Sequence, residues 1–324
     1  MFLFEEVFKE TIWGGDRISN LKGRFLPSSD IGESWELSSL DGHETLVSEG
    51  PAKGKSLREL SATYGASLLG IHVYNRYGTD FPLLIKFIDA HADLSIQVHP
   101  DDEMARRLHG CNGKTEMWYV VDATPEGRLL VGFDHAMTAD TFSSALSGGH
   151  LASTLRSHHV KRGDVFFLPP GRVHAACTGV LLAEIQQSSD ITYRLYDYGR
   201  KDRDGKEREL HIPQALEALD FSSQDDYQTH YDIQANTPTN LVSCDYFSTS
   251  LLQCDTPMHI DISQLDSFCI LICVEGELKV TQSGGLFPGE SVLKEGHTIL
   301  IPASSTSVEL EPLTASKLLQ VWVP

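Results

Sequence analysis

The chain has 324 residues, enough for more than one domain and too few for three large ones. Apolar residues at 41% and charged residues at 22% are globular proportions with ample material for a core, and no run of about 18 apolar residues offers a membrane span. Lys plus Arg number 26 against 45 Asp plus Glu; a formal charge of −19 argues against nucleic acid as a partner and requires a local basic pocket for any anionic substrate.

Met1 leads into Phe2-Leu3-Phe4-Glu5-Glu6, without the basic region and long apolar stretch of a signal peptide, so a cytoplasmic protein is expected. The six cysteines show no CxxC spacing and are expected as reduced, mostly buried thiols. Ser56-Leu57-Arg58-Glu59 is a capping box that predicts a helical segment ending near Gly70. Strands are predicted over Phe81 to Ala90 and Asp93 to Pro100. In the second, Leu94, Ile96 and Val98 point one way and Ser95, Gln97 and His99 the other. A helix follows from Asp101 to His109, closed by Gly110. Strands are predicted again over Thr115 to Ala123, Val165 to Leu168, Val180 to Gln187 and Thr192 to Tyr198. Helices are expected over Thr138 to Leu146 and from Pro213 through Leu219. Ser222 to Thr239 is polar and aperiodic, and is the expected domain boundary. Strand signals then resume up to Val323 at eight-to-twelve-residue spacing, and two strand-rich halves suggest two sandwiches or barrels. A long-range echo supports two copies of one fold: Gly163 and Pro169 bracket five residues, as do Gly296 and Pro302.

Gln97 and His99, two apart on a strand, share a face. Glu116 opens the next strand after the turn at Gly113, and His174 follows Gly171 beyond the Gly163 strand. Two imidazoles, a carboxylate and an amide oxygen make a mixed N/O set that suits zinc or another divalent first-row ion with an open position. Glu184 stands among Leu181, Leu182, Ala183 and Ile185, where a carboxylate needs a partner or a function. Taken alone, Lys114 reads as a surface lysine, Arg194 as a cation stacked on its tyrosine neighbours, and Trp13, Trp35 and Trp118 as core or pocket wall.

Gly163-x5-Pro169-x-Gly171-x2-His174 matches the second cupin motif, with Thr178 where its closing asparagine usually stands. The first cupin motif reads Gln97-Val98-His99 and then Glu116, with the Asp101 helix inserted. That departure resembles the type I phosphomannose isomerases, and so do Ile12-Trp-Gly-Gly15, Gly32-Glu-Ser-Trp-Glu-Leu-Ser38, Gly113-Lys-Thr-Glu-Met-Trp-Tyr119 and Tyr193-Arg-Leu-Tyr-Asp-Tyr198. The likeness is dense over the first 200 or so residues and is nearest to the short bacterial form. It implies a mainly β chain of two cupin (jelly-roll) barrels with short helices in and around the first. Residues 1–232 would form the catalytic domain, and residues 233–324 a degenerate cupin without metal, because Ala303-Ser-Ser-Thr-Ser follows Pro302. It further implies one zinc ion on Gln97, His99, Glu116 and His174, catalytic roles for Arg194, Lys114 and Glu184, and substrate binding by Lys86, Lys114 and Arg194. The reaction expected is the interconversion of mannose 6-phosphate and fructose 6-phosphate through a metal-stabilised enediolate. Glu184 and Lys114 are both candidates for the proton-shuttling base, and a hydride shift stays open. The partner expected is a small sugar phosphate, with no nucleic acid, membrane or obligate protein partner. A non-catalytic sugar-phosphate sensor would be expected to lose Arg194 or a ligand, and a cupin dioxygenase would favour an HxH start.

Overall fold

The computed structural model describes residues 1–202 and 204–324. Among the described residues the chain forms a seven-stranded, a five-stranded, a second seven-stranded and a four-stranded sheet, all with antiparallel pairing between named strands. None of the sheets closes on itself. The chain is therefore mainly β with few helices, and the expected barrels are seen as two pairs of open sheets.

The layering follows from side-chain alternation. The first seven-stranded sheet carries the adjacent strands Glu116–Ala123, Val180–Gln187 and Leu83–Ala90. Ile88, Ala90, Trp118, Val120, Val180 and Leu182 project from one face and pack on Leu129, Val131 and Ala176 of the five-stranded sheet. The intervening residues Ile85, Phe87, Met117, Tyr119, Ala183 and Ile185 project from the other face. There they meet Leu251, Ile270, Ile272, Leu300, Leu319 and Val321 of the second seven-stranded sheet. That sheet turns Leu271, Ile299 and Leu318 toward the four-stranded sheet. Leu83–Ala90 is thus covered on both faces and buried at all eight positions, the charged residues Lys86 and Asp89 included. Truncating Phe87, fully buried in the joint between the seven-stranded sheets, costs roughly 3–5 kcal/mol through lost burial and the cavity left behind.

The caps form as their residues dictate. Ser56 Oγ accepts from Glu59 N at 3.2 Å, and Glu59 Oε2 accepts from Ser56 N at 2.7 Å. The helical segment does not end near Gly70, however. It runs to Tyr77 as three short helices, Leu57–Tyr64, Ala66–Leu69 and Ile71–Tyr77, broken where Gly65 and Gly70 take positive φ. Asp266 from the C-terminal half restarts it, its carboxylate accepting from Ile71 N at 2.7 Å and His72 N at 3.0 Å. Asp101 caps Asp102–His109 through Met104 N at 2.8 Å, and Gly110 ends that helix with φ of 68°. The strand predicted over Asp93 to Pro100 shrinks to Ile96–Val98, because its neighbours His174–Ala176 and Tyr193–Tyr196 are only three and four residues long. Two further facts were not foreseen. Phe2–Glu5 pairs with Thr298–Ile301 in the C-terminal sheet. Within the polar stretch, Gln228–Thr229 pairs back on Val165–Leu168. None of the six cysteines is in a disulfide.

Candidate active site

The site lies inside the first sandwich, between the five-stranded sheet and the inner face of its seven-stranded partner. On the five-stranded sheet Ile96, Val98, Val173, Ala175, Tyr193 and Leu195 face outward under helices, so Gln97, His99, His174 and Arg194 face inward. Register aligns them: Arg194 is opposite Gln97, and Gln97 is opposite His174. Across the gap, Lys86 is opposite Glu184, which is opposite Trp118. Glu116 opens its strand at the same level, preceded by Lys114, whose N–H bonds Pro100 O at 3.0 Å. Gly113 makes that turn possible, since a Cβ there would run into the backbone of Asp101 and Asp102. Gly171, with φ of 83°, bonds His99 O through its N–H at 3.0 Å and leads the chain to His174.

One ligand-capable atom from each of His99, Glu116 and His174 falls within 4.8 Å of the others, and all three residues are buried. His174 Nε2 is 3.1 Å and His99 Nε2 is 3.6 Å from the Glu116 carboxylate. Each imidazole uses Nδ1 on a backbone carbonyl, His99 on Ile191 O at 2.8 Å and His174 on Arg172 O at 2.9 Å. With Nδ1 donating, Nε2 keeps its lone pair and points at the carboxylate, the arrangement that orients imidazole toward a metal. Gln97 Nε2 stands 3.3 Å from His174 Nε2, and a half-turn of the amide presents its oxygen instead. His99 Nε2 and both Glu116 oxygens are buried without a partner in hydrogen-bond geometry, although Lys114 Nζ is 2.8 Å from Glu116 Oε2. Buried acceptors facing one another across a gap are costly unless a cation joins them, so the donor set fits a divalent ion.

The charges around this group are arranged against burial. Burial and then the Lys114 charge hold His99 well below the usual imidazole range, leaving it neutral. Burial alone would raise Glu116, but the Lys114 charge above all brings it well below the usual carboxylate range. Glu184 goes the other way: burial, and then Glu116, push it up against the pull of Lys114 and Lys86. Trp118 Nε1 donates to Glu184 Oε2 at 2.7 Å, and the nearest ammonium groups, Lys86 and Lys114, are 3.6 and 3.8 Å from Oε1. Lys86 is also raised, because Glu33, Glu184 and Asp190 outweigh its burial. Two carboxylates of opposite tuning on either side of Lys114 are the pattern of an acid/base site.

A cavity of about 260 Å³ opens onto these groups. Lys86, Lys114, Gln97, Glu184 and Arg194 line it, together with Trp13, Trp118, Glu33, Asp190, Thr192 and Arg208. Every residue singled out from the sequence is thus drawn into one neighbourhood, and Lys114 is buried rather than a surface lysine. Arg194 has no cation–π contact with its tyrosine neighbours among the described residues. Its NH1 donates instead to Glu209 O at 2.9 Å. Glu33 and Arg208 were missed. Glu33 lies in the phrase Gly32 to Ser38 but reads as an alternating polar position, and its indole partner Trp35 is visible only in the fold. Arg208 sits in a charged loop and carries no local signal.

Comparisons with known proteins agree with this geometry. A model of the phosphomannose isomerase type I catalytic domain matches residues 1–126, and a model of the mannose-6-phosphate isomerase cupin domain matches residues 237–315. The chain is 36% identical to mannose-6-phosphate isomerase ManA of Bacillus subtilis over 312 residues, 95% of each chain. It is 32% identical to the mannose-6-phosphate isomerase of Streptococcus mutans over 96% of this chain and 95% of that one. The crystal structure of a mannose 6-phosphate isomerase from Bacillus subtilis superposes with a TM-score of 0.88 at 31% identity, covering 99% of this chain and 98% of that one.

Proposed function

We propose, for a chain that belongs to the type I phosphomannose isomerase family, the interconversion of mannose 6-phosphate and fructose 6-phosphate at the cavity between the first two sheets. The observation that carries the reading is the convergence of His99, Glu116 and His174, with His99 Nε2 and both Glu116 oxygens unsatisfied, beside the oppositely tuned Glu184. We assign Gln97, His99, Glu116 and His174 to one zinc ion, whose Lewis acidity when bound serves the negative charge of an enediolate.

The remaining chemistry belongs to the side chains. Glu184, raised and held by the Trp118 indole, takes a proton from one carbon and returns it to its neighbour. Lys114, between Glu116 and Glu184, keeps both carboxylates compensated and donates to a substrate hydroxyl. Lys86 neutralises Glu33 and Glu184 at the cavity wall, and Arg194 offers donors to developing oxyanion charge. Trp13 and Trp118 exclude water from this end. A hydride shift would need no carboxylate shuttle, and the placement of Glu184 favours the proton route.

The same reading keeps residues 1–232 as the catalytic unit and 233–324 as a second cupin without metal, with Phe2–Glu5 strapped onto the latter. Each facing pair of sheets is taken as a flattened jelly roll. No helix among the described residues is long and apolar enough to cross a membrane, and a cytoplasmic enzyme is our assignment. The test is a coupled assay of mannose 6-phosphate conversion in deuterated water, with metal analysis of the same sample. Turnover with solvent deuterium at C1 or C2 and about one zinc per chain is expected. No turnover would refute the isomerase reading, turnover without zinc the metal assignment, and turnover without deuterium the proton shuttle.

A further inference from the structure

Three arginines gather at the open end of the cavity around one carboxylate. Asp197, its side chain only 5% exposed, follows the strand Tyr193–Tyr196 that carries Arg194. Arg208 Nε meets Asp197 Oδ2 at 2.7 Å and its NH2 meets Oδ1 at 2.5 Å, a two-point clamp. Arg200 NH2 reaches the same Oδ1 at 2.5 Å. Arg194 is held by Glu209 O, and its Nε is buried without a partner. Three guanidinium groups thus share one buried carboxylate, with Glu209 as the next carboxylate acting on Arg194, in a chain whose net charge is −19. The guanidinium of Arg194 is lowered first by burial and then by Arg208, so these two cations repel each other across the cavity wall. Asp197 offsets part of that repulsion, and an anion in the cavity would offset more of it.

The three are not equivalent. Arg194 and Arg208 line the cavity; Arg200 does not. Arg200 turns away, with NH1 on Asp93 O and its guanidinium over the Tyr198 ring at 5.1 Å. Arg208 is fixed through Nε and NH2, and NH1 has no hydrogen-bond partner among the described residues. Arg194 is aligned with Gln97 and then His174, so the arginine end lies two strand spacings, roughly 10 Å, from the far imidazole. That separation suits a substrate whose reacting carbons and anionic tail lie at opposite ends.

Resting on the isomerase reading above, we propose that Arg208 holds the phosphoryl group of the substrate and selects phosphorylated over plain sugars, with Asp197 as the positioning residue that aims it. Arg208 makes the same contact in the ground state and the transition state, because the phosphoryl group takes no part in the chemistry. Its removal is therefore a binding defect and not a turnover defect.

The experiment uses the zinc-loaded enzyme, with mannose 6-phosphate as substrate and inorganic phosphate as competing probe. For Arg208→Ala, loss of a charge-assisted contact is expected to raise KM by about 10- to 100-fold and the inhibition constant of inorganic phosphate in parallel, with kcat within about threefold. Arg208→Lys keeps the charge without the fork and is expected to recover part of both losses; it also serves if Arg208→Ala melts early. Asp197→Asn is expected to raise KM with zinc content unchanged. An active parent whose Arg208 variants keep KM and phosphate inhibition within about twofold, or lose kcat at unchanged KM, would overturn the inference alone. A parent inactive on mannose 6-phosphate overturns the isomerase reading and this inference with it.

Discussion

Glu36 makes the joint between the two halves sensitive to pH. It lies on Ile31–Leu37 and bonds Lys22 Nζ through both oxygens at 2.7 Å, while Lys22 also reaches Glu6 at 3.1 Å and the backbone oxygen of Gly296 in the C-terminal half. Burial pushes the Glu36 carboxyl up from 4.5 to about 7; Lys22 opposes this, but Glu6 shares that cation. An acid whose folded pKa stands above its unfolded value adds stability that is fully present below pH 4.5 and lost as pH rises through about 7. The difference of about 2.5 units corresponds to roughly 3 kcal/mol, most of it spent between pH 5 and 8. Glu36→Gln keeps the shape and cannot ionise. Urea denaturation of both proteins at pH 5 and pH 8 is the assay. The stability advantage of the glutamine variant is expected to be larger at pH 8 than at pH 5 by about 2–3 kcal/mol. Equal differences at the two pH values would show that Glu36 stays ionised throughout as an ordinary partner of Lys22, and the reasoning would fail.

His174→Ala removes one donor from the cluster and is expected to lower zinc content well below that of the parent at matched free zinc; unchanged occupancy measured by atomic absorption would refute the ligand assignment. Glu184→Gln is expected to cut kcat by about 100-fold or more with zinc retained, and a variant within about threefold would leave Lys114 as the better base. The acid limb of kcat/KM is expected above pH 4.5, because a raised Glu184 takes up its proton sooner as pH falls. Trp118→Phe deletes the indole N–H that favours the carboxylate, so that limb should move to still higher pH; movement to lower pH would contradict the sign.

What the amino-acid sequence determined by itself was local. Two-residue alternation put Gln97 and His99 on one face, and the apolar neighbours Leu181, Leu182, Ala183 and Ile185 singled out Glu184 as a carboxylate in an apolar strand. The caps at Ser56 and Asp101 depend on side chains three residues from the groups they satisfy, so they too could be read directly. The metal-type set and the family were legible because glycine and proline punctuate the turns that bring Glu116 and His174 to the strand of His99. Tertiary structure decided the rest. Leu83–Ala90 is apolar on both faces apart from Lys86 and Asp89 because sheets pack on both of its sides, and nothing within its eight residues says what those sheets are. The helical segment ran past Gly70 because Asp266, almost two hundred positions away, caps its continuation. Open sheets rather than closed barrels, and the first strand's place in the last sheet, are matters of edge pairing between distant segments. Arg208 and Glu33 became site residues only when a loop and a neighbouring strand closed on the cavity. Such contacts depend on which segments meet once chain entropy has been overcome, and no local period records that.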